Sequence, residues 1–304
     1  MFSMYQENCQ ESWWINLLYI SNYVPYSTCL PWTWYVSADF QLHVLSPLLL
    51  LLIYKDRTRG FLLAAFIILV SIAGALAFYF WYEIPAGGIA QRDQSHQKIT
   101  LVQHVQTQFR LALFIVGLCL GNLLFRIKQN QLKIKLSKPQ LLVGWTVAVL
   151  LILSTVLSTS IFDDPQYVHI PWLDSVYHVW SRQAVGLGVT WVILVCTIGS
   201  GGIIDKILSW KALIPLSRLT YCVYLLHFFV QQLQIYRTRT SVTVDTFDIW
   251  YLFFSDVFIS YILATFLYLG VEAPVSNIFN NLFKDSQTST EKSQNVVMSA
   301  ITNP

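Results

Sequence analysis

Three groups of polar side chains interrupt otherwise apolar stretches of this sequence, and the first contains a carboxylate and an imidazole. Asp39 and His43 are four residues apart, so a helix places both on one face, with Gln41 between them. A carboxylate inside a bilayer costs roughly 2.5–3.5 kcal/mol on insertion scales and is usually paired. The pattern predicts the wall of a charged or hydrogen-bonded site, with Asp39 and His43 as catalytic candidates. The alternative is that Asp39 lies at the membrane interface and caps a helix.

The second group lies in the segment from Pro215 to His227. Tyr221, Tyr224 and His227 follow Ser217 at steps of three or four residues, so a helix presents all four on one stripe. Histidine is the side chain that can pass protons near neutral pH. The spacing favours His227 as a catalytic base with the two tyrosines beside a substrate. The alternative is a histidine that is hydrogen-bonded for structural reasons.

The third group consists of Arg110 and Arg182, each at the start of an apolar run. A guanidinium pairs well with phosphate, so both residues are candidates for binding an anionic substrate. The alternative is interfacial anchoring, in which the aliphatic stem lies along apolar surface and the charged end reaches water.

The elements that must position these groups are membrane helices. Of 304 residues, 55% are hydrophobic and 12% charged, and mean hydropathy is +0.52, whereas soluble domains have about 25% charged residues. The formal net charge of +3 gives no electrostatic reason to expect nucleic acid as a partner. Because a bilayer span needs about 20 apolar residues, we predict an all-α, polytopic transmembrane bundle with about seven spans: Trp34–Tyr54, Phe61–Trp81, Phe109–Phe125, Leu141–Ile161, Ala184–Ser200, Ile214–Gln234 and Ile249–Gly270.

Lysine and arginine in the short loops predict the orientation in the membrane. Residues 55–59, 126–138 and 206–211 are basic, whereas no Lys or Arg precedes residue 55 and the loop after residue 162 is acidic. The positive-inside rule then places the N-terminus outside or in a lumen and the C-terminus in the cytosol, in the endoplasmic reticulum or plasma membrane. We expect an extracytoplasmic segment over 1–33, a membrane domain over 34–283 and a disordered cytosolic tail over 284–304. Pro274 is expected to end the last helix.

Two cysteines precede the first predicted span. If the stretch with Cys9 and Cys29 is extracytoplasmic, a disulfide between them is one alternative and two free thiols the other. No Gly-rich phosphate loop and no Cys/His spacing suited to zinc occurs in the sequence. We therefore predict neither a metal nor a tightly bound cofactor.

Several segments, in order, resemble the acyltransferase-3 family, and in particular its animal branch called nose resistant to fluoxetine. These are WWINLLYISNYV, CLPWTWYVSADFQLHVLSPLLL, FRLALFIVGLCLGNLL, SRQAVGLGVTWVILVCTIGSGG, PLSRLTYCVYLLH and VEAP. The resemblance runs from about Trp13 to about Phe283, and Asp39 and Gln41 match an acid-x-Gln pair of many relatives.

The resemblance implies a helical bundle that moves an acyl group, with acyl-CoA as co-substrate, onto a hydroxyl of a lipid, sugar or other acceptor. In such a reaction a histidine base deprotonates the attacking hydroxyl, and arginines hold the anionic groups of the donor. It gives no expectation for the oligomeric state.

The sequence also departs from the family pattern. Relatives begin with further membrane helices that carry the usual histidine base, and animal relatives also have a large N-terminal domain. Asn122 and Val185 stand where relatives often have aromatic residues. Three hypotheses therefore remain: an acyltransferase that could be inactive in this form, a non-catalytic membrane protein that binds or transports lipids or drugs, and a fragment that does not fold stably alone.

Overall fold

The computed structural model describes residues 2–24, 29–86, 103–162, 164, 167–237 and 245–281, and within these ranges it contains helices and no strand. Short 3₁₀ turns at Ser21–Tyr23, Pro31–Thr33 and Thr107–Phe109 join some of the helices. The α-helices in chain order are α1 Phe2–Leu17, α2 Trp34–Lys55, α3 Arg57–Trp81, α4 Leu111–Lys128, α5 Lys138–Phe162, α6 Pro171–Thr197, α7 Gly202–Leu208, α8 Leu213–Arg237 and α9 Thr246–Leu267.

Seven of these helices are long and apolar enough to cross a bilayer. They are α2 to α6, α8, and α9 with its continuation to Asn281. Helices satisfy their own backbone hydrogen bonds, which a segment in lipid requires. The predicted all-α membrane-spanning fold with seven spans is therefore confirmed.

The described chain forms two compact units, and the first comprises residues 1–209. Its core includes a cluster of Leu49, Ile53, Ala64 and Ile115, which joins α2, α3 and α4. The start of α3 approaches α2 so closely that a Cβ on Gly60 would lie 2.5 Å from the Cα of Ile53. Only glycine fits this contact without a shift of the backbone.

A second cluster in the same unit joins α3 to α6 through Ala75, Tyr79, Ile84 and Val179. Before α2, a disulfide links Cys9 in α1 to Cys29. Helix α1 is polar and is not among the helices apolar enough to span a membrane. The hydropathy pattern had therefore not predicted it.

The second unit comprises residues 210–304, of which 210–237 and 245–281 are described. Here α8 and α9 pack against each other. Asp245 caps α9 by accepting a hydrogen bond from the backbone N–H of Thr246, and Asp248 completes a capping box. The predicted tail, 284–304, lies outside the described residues.

Two predicted helix boundaries are wrong. The fifth span does not begin at Ala184 but at Pro171, because the polar first half of α6 depresses its hydropathy without breaking the helix. Pro274 does not end the last helix. A π-helical segment, Tyr268–Glu272, precedes it and helix continues to residue 281. A π segment changes the hydrogen-bond register, which accommodates a residue that lacks the backbone N–H.

Candidate functional site

The first unit contains an open cavity of about 680 Å³. Its walls come from α2, the segment 103–110, α4, α5 and α6, so five stretches distant in sequence meet there. The polar or charged residues that line it are Tyr35, Asp39, His104, Arg110, Thr155, Thr159, Tyr177, Ser181 and Arg182. The remaining wall is apolar and includes Leu42, Leu113, Phe114 and Val185. Such a mixture of apolar wall and convergent polar groups is typical of small-molecule sites.

Arg110 enters the cavity directly before α4. Its guanidinium lies over the ring of Trp34, 4.4 Å from the ring centroid. It also donates hydrogen bonds to the backbone carbonyl of His104, at 3.2 Å from Nε and 2.6 Å from Nη2. A cation–π contact and a forked hydrogen bond together fix the direction of this side chain.

Arg182 stands just before the apolar run predicted as the fifth span, but it lies in the middle of α6, because α6 begins eleven residues earlier at Pro171. Its Nη2 donates to the side-chain oxygen of Gln103 at 3.0 Å. Its Nη1 is buried and makes no hydrogen bond to any group in the described part of the chain. A buried guanidinium N–H without a partner is costly, and an anionic ligand would satisfy it.

His104 lines the same cavity, and sequence reasoning had not selected it. Its ring packs edge-on against Trp34, with ring centroids 5.0 Å apart. His104 is an exposed residue, yet partial desolvation of its ring, and then the positive charges of Arg110 and Arg182, lower its pKa to about 4. At neutral pH this imidazole is therefore uncharged and accepts a hydrogen bond, although a base with a pKa of about 4 takes up a proton less readily than one near neutrality.

Asp39 and His43 are brought together as their spacing predicted. The carboxylate oxygen of Asp39 lies 3.4 Å from Nδ1 of His43, and the same nitrogen donates to the backbone carbonyl of Asp39 at 2.9 Å. The residue before α2 is Thr33, so Asp39 does not cap the helix but lies in its second turn. Asp39 lines the cavity, while the ring of His43 contacts Phe114, 5.6 Å away between centroids.

Gln41 faces a different environment, a buried network outside the lining of this cavity. Its Nε2 donates to Asn22 Oδ1 at 2.9 Å and to the carbonyl of Tyr19 at 2.7 Å. Its Oε1 accepts from Thr107 Oγ1 at 2.5 Å, and Thr107 in turn accepts from Asn22 Nδ2 at 2.8 Å. The network ties the segment after α1 and the turn before α4 to α2, which indicates a supporting role for Gln41.

Replacing Gln41 with Leu is expected to destabilise the fold by about 1–3 kcal/mol, because the buried groups of Asn22 and Thr107 lose their partners. The midpoint of thermal unfolding in detergent measures this. The matched control is Gln108→Leu, since the side chain of Gln108 is exposed, and that variant is expected to change stability by less than about 0.5 kcal/mol. Equal midpoints for both variants would contradict the role inferred for the network.

The second unit places Tyr224 and His227 on one stripe of α8, with ring centroids 5.7 Å apart. Nδ1 of His227 donates to the carbonyl of Tyr224 at 2.7 Å. Tyr221 is exposed on the same helix. Nearby, Cys222 donates its thiol to Glu272 at 2.9 Å, so Glu272 is held in the π-helical segment and is more than a boundary residue.

The predicted acidic loop after residue 162 extends to the start of the fifth predicted span and so includes Asp174, whereas in the structure Asp174 lies in the first turn of α6 and is fully buried. It accepts a hydrogen bond from Tyr167 at 2.5 Å and contacts Nδ1 of His169. Desolvation and the Asp174 carboxylate raise the pKa of Tyr167 to about 12, so this phenol remains a donor. This cluster anchors the chain that enters α6 and thereby positions Arg182 two turns later. Asp163, predicted in the same loop, lies outside the described residues.

No cluster of three or more His, Cys, Asp or Glu side chains suited to a metal ion occurs among the described residues. The cavity instead brings together two guanidinium groups, a neutral imidazole and a carboxylate that already has His43 nearby. The positive charge of the arginines favours an anionic ligand, and the imidazole can accept the proton of a hydroxyl.

Comparisons with known proteins identify the family of the chain. A family model described as an acyltransferase domain, that of the acyltransferase-3 family, matches residues 3–276. The chain is also similar to "Nose resistant to fluoxetine protein 6" of Caenorhabditis elegans, with 30% identity over 93% of this chain and 36% of the relative. The chain thus spans about a third of the length of that curated relative. No solved structure matches the chain.

Proposed function

The chain belongs to the acyltransferase-3 family of membrane proteins, and from this premise we propose that its cavity transfers an acyl group from acyl-CoA to a hydroxyl of a lipid or other acceptor. The observation that carries the proposal is the convergence of Arg110, Arg182 and a neutral His104 on one cavity. The guanidinium groups bind phosphate groups of the donor through charge-assisted hydrogen bonds. The unpartnered Nη1 of Arg182 gives such an anion a buried donor.

His104 takes the role of the base in this proposal. The acceptor oxygen attacks the thioester carbonyl carbon as the imidazole removes the hydroxyl proton. The carbon–sulfur bond then breaks, the new ester forms, and the proton passes to the departing thiolate to give free CoA. Atoms and charge balance in this step without an oxidant or a metal ion. His43 and His227 are the competing bases predicted from the sequence.

The basic loops support an orientation for the reaction. Asp39 lies sixteen residues before Lys55 on α2, which is about 24 Å along a helix. Arg110 likewise lies at the N-terminal end of α4, whereas Arg126 and Lys128 lie in its last turn. If the basic ends face the cytosol, the cavity lies toward the extracytoplasmic or lumenal side. We propose that the acceptor hydroxyl enters from that side in the endoplasmic reticulum or plasma membrane.

The test is acyl transfer by the full chain in lipid vesicles, with radiolabelled acyl-CoA supplied on either side. We expect release of free CoA thiol together with label in an ester that hydroxylamine cleaves. The variant that tests the role of the charge is Arg110→Gln, which keeps a hydrogen-bond donor but loses the charge and is expected to reduce transfer at least tenfold.

The apolar cavity wall also suits the competing hypothesis of lipid or drug binding. Saturable binding of an apolar ligand without any transfer would favour that hypothesis and contradict ours.

A further inference from the structure

A second, smaller cavity of about 240 Å³ lies in the first unit and is almost entirely apolar. Five leucines of α2, Leu63 and Ile67 of α3, and residues of α4 that include Ile115 and Leu118 form its wall. Among its described lining residues only Ser46 is polar, and that hydroxyl donates to the backbone carbonyl of His43 at 2.9 Å. The cavity therefore offers a ligand apolar contact and no uncommitted hydroxyl.

This apolar cavity borders the charged one. Leu42 and Phe114 line both cavities, so the two spaces adjoin at these side chains. The ring of Phe114 contacts His43, which lies beside Asp39 at the edge of the charged cavity. A molecule with an anionic end and an apolar end could bind with the anionic end in the charged cavity and the apolar end in the adjoining apolar cavity.

We propose that the apolar cavity holds the chain of the acyl donor, and that the donor is a medium-chain acyl-CoA and not acetyl-CoA. This inference rests on the proposed acyl transfer, since it places the acyl carbonyl where the two cavities adjoin. A space of 240 Å³ has room for a chain of roughly eight carbons if each takes about the liquid volume of a water molecule. Because its wall has no uncommitted polar group, a hydrocarbon chain fills this space without breaking any hydrogen bond to the wall.

Burial of each methylene from water is expected to tighten binding about fourfold. Octanoyl-CoA has six more methylenes than acetyl-CoA, so its kcat/KM should be at least a hundredfold higher even if only part of the chain is buried. Lengthening the chain beyond the capacity of the cavity should bring no further gain. The expected profile therefore rises from two carbons to about eight and then levels or falls.

The experiment measures kcat/KM with acetyl-, octanoyl- and dodecanoyl-CoA for the full chain in vesicles. Leu118→Trp fills the cavity and is expected to lower the octanoyl rate at least tenfold while the acetyl rate changes less than twofold. Leu118→Ala enlarges the cavity and is expected to shift the preference toward dodecanoyl-CoA. The matched control is Leu120→Trp, on the same helix but outside the lining of either cavity, which should leave the octanoyl preference unchanged.

A photoreactive octanoyl-CoA with a terminal diazirine gives a second readout that does not need turnover. Crosslinks of the detergent-solubilised chain to peptides of α2 and α4 that octanoyl-CoA displaces, and that added phospholipid does not, would support the inference. Displacement by phospholipid, or equal rates for all chain lengths, would overturn it and identify the cavity as a lipid site. Crosslinking at this cavity without transfer of any acyl group would contradict the proposed function and leave the chain-binding inference standing.

Discussion

His104→Gln is expected to lower kcat for acyl transfer by about 10²–10⁴, the usual contribution of a general base. The glutamine can still hydrogen-bond to an acceptor hydroxyl but cannot take up its proton. Arg110 is held by the backbone carbonyl of residue 104, so the substitution leaves that guanidinium in place. The dissociation constant for CoA should therefore change little, and this separates a loss of chemistry from a loss of binding.

The matched comparison is His227→Gln in the second unit, because the sequence pattern had favoured His227 as the base. We expect that variant to retain most of the transfer rate. A loss of 10²–10⁴ in His227→Gln together with a nearly normal rate in His104→Gln would assign the base to His227 and contradict our proposal for the cavity. Thermal unfolding midpoints within a few degrees of the unsubstituted chain would show that both variants fold.

The pH dependence of kcat/KM provides an independent readout of the same residue, because kcat/KM reports pKa values of the free enzyme. The neutral imidazole is the active form, and its pKa is lowered to about 4 by desolvation and then by Arg110 and Arg182. The rate should therefore be constant from about pH 6 to 8 and fall only as pH drops through about 4. An unperturbed histidine would lose activity near pH 6.5 instead. An inflection at that higher value would contradict the role of the two arginines.

Hydropathy predicted the seven spans because each one satisfies the same requirement, about 20 apolar residues in lipid. The same criterion failed at α6, whose first half carries Asp174, Tyr177 and Ser181. These polar groups are accommodated inside the protein, where Asp174 is buried against Tyr167 and His169. A hydropathy average cannot distinguish a polar residue in water from one that is bonded inside a bundle.

The candidate site was only partly predictable for a related reason. Asp39, Arg110 and Arg182 stand out because charge is rare in apolar runs, and the structure brings all three to one cavity. His104 lies between the second and third predicted spans, in a long stretch of mixed polar sequence where a histidine gives no signal by itself. Its proximity to Trp34 and Arg110 arises from the packing of α2 beside the turn before α4. Such a contact between distant parts of the chain has no local sequence pattern.

Arg182→Gln is expected to weaken donor binding about 10- to 100-fold, because a hydrogen bond to a charged group contributes about 1.5–3 kcal/mol. Glutamine at position 182 can still donate a hydrogen bond to the side chain of Gln103, so this contact of α6 is retained. Arg182→Lys keeps the charge but not the planar fork, and we expect an intermediate affinity. Equilibrium binding of radiolabelled acyl-CoA to the purified chain measures these changes directly.

The matched control for Arg182 is Arg57→Gln, since Arg57 is exposed at the start of α3, away from the cavity lining. It should bind the donor as the unsubstituted chain does. Arg182→Gln removes one of the two charges that lower the pKa of His104, so its residual activity should also lose its inflection near pH 4 and show one at a higher pH. Unchanged affinity and an unchanged pH profile in Arg182→Gln would mean that this buried guanidinium serves the fold alone, and the anion would then have to be held elsewhere.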